Sequence, residues 1–93
     1  MDKEKFKKEA KKSINEVAAK IDKLEAEKEK VKDNSRAEYE EKLARLKSKR
    51  DELEDKYEEL ENASDEKFDE IKDAFSSAKE SFNEGFSKLS SIF

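Results

Sequence analysis

The chain has 93 residues, 22 of them basic and 26 acidic, so more than half carry charge while the net charge is only −4. It contains no His, Cys, Trp or Pro and a single Gly, Gly85. That inventory excludes disulfides, thiolate metal ligands, thiol redox switching and imidazole catalysis, and the acidic balance argues against general nucleic-acid binding, which needs surplus Lys and Arg against phosphates.

The first stretch, residues 1–33, has eleven Lys against nine acids. Its start, Met1-Asp2-Lys3-Glu4-Lys5-Phe6, places charge where a signal peptide needs an apolar core. No stretch of the chain approaches the ~20 apolar residues of a membrane span, so a cytoplasmic location is expected. Ile14, Val17, Ile21, Leu24 and Val31 recur at helical spacing, with Lys28 interrupting the column. Lys28, Lys30 and Lys32 suit a helix C-terminus, and Ser35-Arg36-Ala37-Glu38 fits a capping box opening the next helix.

The second stretch, residues 34–62, has seven bases against ten acids. Tyr39, Leu46, Leu53 and Leu60 stand seven apart, with Leu43, Arg50 and Tyr57 as the partner column. Arg50, like Lys28, reads as a register-setting or snorkelling residue; anion binding is the sharper alternative. Tyr39 and Tyr57 are expected to pack their rings with the hydroxyls at the rim. Asn62-Ala63-Ser64-Asp65 then offers Ser64 as an N-cap, with Asp65 and Glu66 in the first turn.

The third stretch, residues 63–93, has four bases against seven acids and holds five of the six Phe. Phe68, Phe75, Phe82 and Leu89 form one column; Ile71, Ala78, Gly85 and Ile92 form the other, and Phe86 and Phe93 widen the apolar face. This face is either a core or an interface, or it is an amphipathic surface for lipid or for exposed apolar clients; the acidic polar face favours the first. Pairs with the acid four residues before the base, such as Glu4/Lys8, Glu16/Lys20, Glu38/Lys42, Glu41/Arg45, Glu52/Lys56 and Glu84/Lys88, add roughly 0.2–0.5 kcal/mol each to helix stability.

Three segments carry a family resemblance: Lys20-Ile21-Asp22-Lys23-Leu24-Glu25-Ala26, Ala37-Glu38-Tyr39-Glu40 and Leu46-Lys47-Ser48-Lys49-Arg50-Asp51-Glu52. So does Ala63-Ser64-Asp65-Glu66-Lys67-Phe68 with Ile71-Lys72 after it. Over about residues 15–93 the chain resembles a group of small bacterial coiled-coil proteins associated with stress response and first noticed in cyanobacteria. Members commonly have a Gly after the Ser of the break and a Trp in the following helix; here Asp65 follows Ser64 directly and Phe68 takes the aromatic position. The resemblance implies a helical, non-enzymatic, stress-linked role and supplies no catalytic or ligand residue.

No constellation points to chemistry. The adjacent acids Glu40-Glu41, Glu58-Glu59 and Asp65-Glu66 diverge by about 100° on a helix and read as solvated faces, not as metal ligands. The Ser residues have no His to activate them. No catalytic residue, metal site or cofactor is therefore expected.

The expected fold is all-α, a single helical unit over 1–93. Residues 3–62 form a long helix, with a break at 33–35 left open, and 65–91 form a Phe-rich amphipathic helix folded back as an antiparallel hairpin. A 60-residue helix would reach roughly 90 Å, so the shorter helix covers only part of it and leaves the stripe from Ile14 to Val31 for a second copy. A homo-oligomeric coiled-coil bundle follows, with a monomeric three-helix bundle as the alternative. The expected interface comprises Ile14, Val17, Ile21, Leu24, Val31, Leu46, Leu53, Leu60, Phe68, Phe75, Phe82 and Phe86. The expected function is non-enzymatic scaffolding by helix–helix self-association; the alternative is a surface-active protein binding lipid or client through the Phe-rich helix.

Overall fold

A computed structural model describes residues 3–91. Among them are three α-helices, α1 (Lys3–Glu27), α2 (Asp33–Asn62) and α3 (Asp65–Ser90), with a single 3-10 turn, Lys28–Lys30, between the first two. No described helix is long and apolar enough to cross a membrane. Ile92 and Phe93, expected to extend the apolar face, lie outside the described residues.

The interruption falls at residues 28–32, and Asp33-Asn34-Ser35, where a break was left open, instead form the first turn of α2. Expected capping at Ser35 is not what starts this helix. Lys32 occupies the N-cap position without a side-chain cap, and the Ser35 hydroxyl lies 3.4 Å from Asn34 Oδ1. Ser64 does stand at the N-cap of α3, but its carbonyl serves there, accepting from the amides of Lys67 at 3.1 Å and Phe68 at 3.0 Å.

Both reversals are made without glycine. Val31 (φ −77°, ψ 137°) and Lys32 (φ −61°, ψ 146°) are extended at the first, and Ala63 (φ −75°, ψ 140°) and Ser64 (φ −73°, ψ 166°) at the second. Each pair sets an apolar residue before a polar one. Val31 is buried and Ala63 packs against the core, so each linker closes one end of the apolar interior while its second residue meets water.

The three helices lie side by side in a rod 50 × 17 × 17 Å, close to the ~45 Å length of a 30-residue helix. Long-range contacts give their directions. Tyr39 reaches Leu24 and Lys11 reaches Tyr57, so α1 and α2 run antiparallel. Lys3 pairs with Asp65 and Lys20 bonds Asn83, so α1 and α3 run parallel. Each helix touches the other two, and α2 and α3 pack most closely.

One core runs through all three helices. Ala10, Ile14, Val17, Ile21 and Leu24 come from α1, Tyr39, Leu43, Leu46, Leu53 and Leu60 from α2, and Phe68, Phe75, Ala78, Phe82 and Leu89 from α3. The stripe on α1 is thus covered by α2 and α3 of the same chain. The basic first stretch likewise meets acids of its own chain, through Lys3–Asp65 and Lys28–Glu40.

Candidate interaction surfaces

Eleven of the twelve residues expected to form an interface are buried in this core, and Phe86 is half-buried at its edge. Within the described residues no group of His, Cys, Asp or Glu is placed to hold a metal ion. What the structure offers is surface between helices, of two kinds.

The first is the α1–α3 seam. Phe6, in the first turns of α1, meets Phe68 and Phe75 edge-on at centroid distances of 6.0 and 6.1 Å. Farther along, Phe82 and Phe86 stack at 6.4 Å. Lysines roof these rings: Lys3 over Phe68 at 5.4 Å, Lys72 over Phe6 at 5.3 Å and Lys20 over Phe86 at 5.2 Å. Such contacts are worth about 0.5–1 kcal/mol at exposed sites, and the lysine stems also cover apolar edge that water would otherwise reach. Phe6 was not among the residues expected here, although its signal was present. Phe6, Ala10, Ser13, Ile14 and Val17 continue the spacing of three and four, with two small residues disguising the stripe.

The second is the α2–α3 flank. Lys42, Arg45, Lys49 and Lys88 surround a shallow groove of about 260 Å³ floored by Leu46 and Gly85, with Glu84 and Ser81 on its α3 wall. The floor is a place of close approach: a Cβ on Gly85 would lie 2.8 Å from Leu46 Cδ2. Farther along the same flank, Asp55, Glu58 and Glu59 line a wider, open groove with Asn62, Lys67 and Ile71. Acids and bases are interleaved at both ends: Glu84 stands among the bases of the first groove, and at the second Lys67 joins the lining while Lys56 lies 3.0 Å from Glu59.

Two further arrangements hold the α1–α2 end and were not expected from local pattern. Tyr39 is wholly buried, and its hydroxyl donates 2.8 Å to the carbonyl of Leu24 in the last turn of α1, a partner instead of a place at the rim. Burial pushes its phenol pKa up, helped by the nearby charges of Glu27 and Glu25. Arg36 reaches back over the linker, donating to the carbonyls of Val31 at 3.2 Å and Glu29 at 3.4 Å, with Asp33 3.7 Å away; its Nε is buried without a hydrogen-bond partner. Tyr57 is half-buried with Lys11 5.5 Å from its ring centroid.

The charged interruptions of the stripe turn outward. Arg50 is half-buried with its head on Asp51 at 3.2 Å, and Lys28 lies 4.0 Å from Glu25 and 3.9 Å from Glu40. The hydrogen bond from Lys47, and then the charges of Lys47 and Lys28, hold the Glu25 carboxyl below its ordinary range. Of the acid–base pairs read from spacing, Glu38–Lys42 closes at 3.0 Å and Glu41–Arg45 at 2.8 Å. Glu4 and Glu52 pair with bases three residues away instead, Lys7 at 3.6 Å and Lys49 at 3.3 Å.

The chain matches no protein-family model, and comparison with characterised proteins and with solved structures returns no similar chain.

Proposed function

We propose that the chain is a non-enzymatic helical interaction module: a three-helix bundle closed within one chain that acts through its charged flanks. One observation supports this above others. The apolar faces of all three helices are spent on a single internal core, which leaves charged helix surface as the means of contact. Self-association, on this reading, joins bundles that are already folded. A scaffolding role, in the stress setting that the sequence resemblance implies, is compatible with a rod of 50 × 17 × 17 Å.

Dilution tests it. A closed bundle keeps its helical circular dichroism from millimolar to submicromolar concentration, because folding does not depend on assembly. Loss of helicity on dilution would show an obligate oligomer of hairpins instead. Ile21→Asp separates the two readings again: in a closed bundle a charge at a fully buried α1 position unfolds the chain, leaving no folded monomer behind.

The surface-active alternative gains support from the α1–α3 seam, where Phe6 and Phe86 are half-buried and roofed by lysines. Binding lipid through α3 requires α1 to swing away and expose Phe68, Phe75 and Phe82. Flotation with neutral or anionic vesicles checks this, and the closed-bundle reading expects none.

A further inference from the structure

We propose that the groove which α1 fills on the α2–α3 hairpin also accepts α1 of a second copy, so that two chains exchange this helix through a straightened linker. The proposal rests on the closed-bundle reading and adds to its flank contacts a second route of association.

The linker is built to allow it. Only Val31 and Lys32 separate the 3-10 turn Lys28–Lys30 from α2, and they depart from helix in ψ alone, 137° and 146°; their φ values of −77° and −61° already suit one. Neither is Gly or Pro, and the turn before them is Lys-Glu-Lys, all good helix formers. Rotation of two ψ angles thus joins α1 and α2 into one helix. At 100° per residue the buried apolar side chains of both, from Ala10 to Leu60, then share an arc of about 120°. The first amides of α2, which starts without a side-chain cap, gain carbonyl partners in the joined helix.

Arg36 opposes the change. Its Nη2 donates to the carbonyls of Glu29 and Val31, the two that the amides of Asp33 and Ser35 would take in a continuous helix. The clamp therefore stabilises the bent form at the place where straightening begins.

The occupant is fixed by the core. A detached α1 uncovers the apolar hairpin, and only another α1 rebuilds the contacts that leave Val17, Ile21 and Leu24 at most 2% exposed. The buried area is the one the single chain already has. Leu24 with Tyr39, Lys28 with Glu40 and Lys11 with Tyr57 pair about a centre near residues 32–34. Two straight helices crossing antiparallel at a two-fold axis there bring the same residues together between copies. The exchanged helix is α1, because α3 packs more closely on α2 and carries Phe68, Phe75 and Phe82 into the core.

Proline at the linker decides the matter. The full chain is warmed through its melting midpoint, cooled at millimolar concentration and measured by sedimentation; the parent forms a dimer. Lys32→Pro fits the bent chain but breaks a joined helix, and lowers the dimerisation constant at least ~hundredfold. Ser64→Pro, at the other reversal, dimerises like the parent. Arg36→Ala gains at least ~tenfold, since the bent form loses two bonds from a charged donor. Circular dichroism establishes that each variant is folded. Spin labels on Lys12→Cys with Asp55→Cys, both exposed, are diluted into excess unlabelled chain so that only the distance within one chain is read. It lengthens in the dimer from that of neighbouring helices to about 60 Å, the span of 43 residues of straight helix. A folded parent that stays monomeric overturns the proposal and leaves the closed-bundle reading intact. So does a dimer that keeps the short distance, one that Lys32→Pro does not weaken, or one that Ser64→Pro abolishes. A parent that loses its helicity on dilution overturns both.

Discussion

Tyr39 shows what a single side chain contributes beyond its place in the pattern. Its seven-residue spacing from Leu46, Leu53 and Leu60 makes its burial legible in the sequence. The acceptor of its hydroxyl was not, because Leu24 lies 15 positions away on another helix. Tyr39→Phe leaves that carbonyl without this partner and is expected to lower stability by about 1–2 kcal/mol in urea titrations. The pH dependence has a definite sign. Because the folded-state pKa is raised above the ordinary value of 10, the contribution is complete below pH 10 and is lost as pH climbs through the folded value. Titrations repeated above pH 10 should show parent stability falling more steeply than that of Tyr39→Phe. Gly85 is the second informative position. Ala improves a helix interior by about 1 kcal/mol over Gly, but here its Cβ would press on Leu46. Gly85→Ala is therefore expected to be less favourable in the parent than in a Leu46→Ala background, by on the order of 1 kcal/mol in a double-mutant cycle. Equal effects in both backgrounds would show that Leu46 moves aside freely.

Among the elements, the helices were easier to read than the ends that separate them. Hydrophobic spacing is a property of many residues together, so three helical stretches stand out despite Lys28 and Arg50. The breaks depend on one or two residues whose conformation local pattern does not fix. Ser35 and Glu38 have the chemistry of a capping box, but a buried Val31 and the Arg36 clamp go with an N-cap at Lys32, three residues earlier. Arg36→Ala should open the linker first. Hydrogen exchange would report it as faster exchange at Val31 and Ser35, whose amides bond Lys28 and Lys32 carbonyls at 3.2 and 2.9 Å. The same end carries an acid-sensitive tie between helices. Glu25 has a lowered pKa through Lys47, so its contribution is present above the ordinary carboxylate value of 4.5 and is lost as pH falls through the folded one. Lys47→Ala should flatten that part of the acid-unfolding profile.

For the whole molecule, the decisive quantity is how much apolar surface the chain covers by itself. Leu53, Phe75 and Phe82 are each at most 2% exposed with no other chain present. Leu53→Ala or Phe75→Ala is expected to cost about 2–5 kcal/mol in thermal or chemical melts, whereas Glu58→Gln on the outer face should change little. Comparable losses from both kinds of substitution would contradict a single internal core. The composition of that core could be read from the spacing of Ile, Leu and Phe, but which helix covers which could not. Spacing gives the direction in which a helix is apolar without naming the surface that meets it. The alignment of Phe6 with Phe68 and Phe75 depends on two reversals, each only a few residues long, and a shift in either would have assigned the same stripes to a different partner.

The extended pairs at the two reversals bear on the unfolded chain. Lys32 and Ser64 have φ of −61° and −73°, near the value a pyrrolidine ring imposes, and each follows a residue in the extended region that a following proline prefers. Backbone bonds at these junctions are donated by the amides of Val31, Ser35, Ala63, Lys67 and Phe68, so neither position supplies one of them. A chain that contains no proline thus has two places already shaped for it. Lys32→Pro and Ser64→Pro should each raise stability by about 0.4–1 kcal/mol by narrowing the ensemble the denatured chain explores, while helix content stays the same. The gain should appear as a rise of a few degrees in the melting midpoint, obtained without adding a contact to the native state.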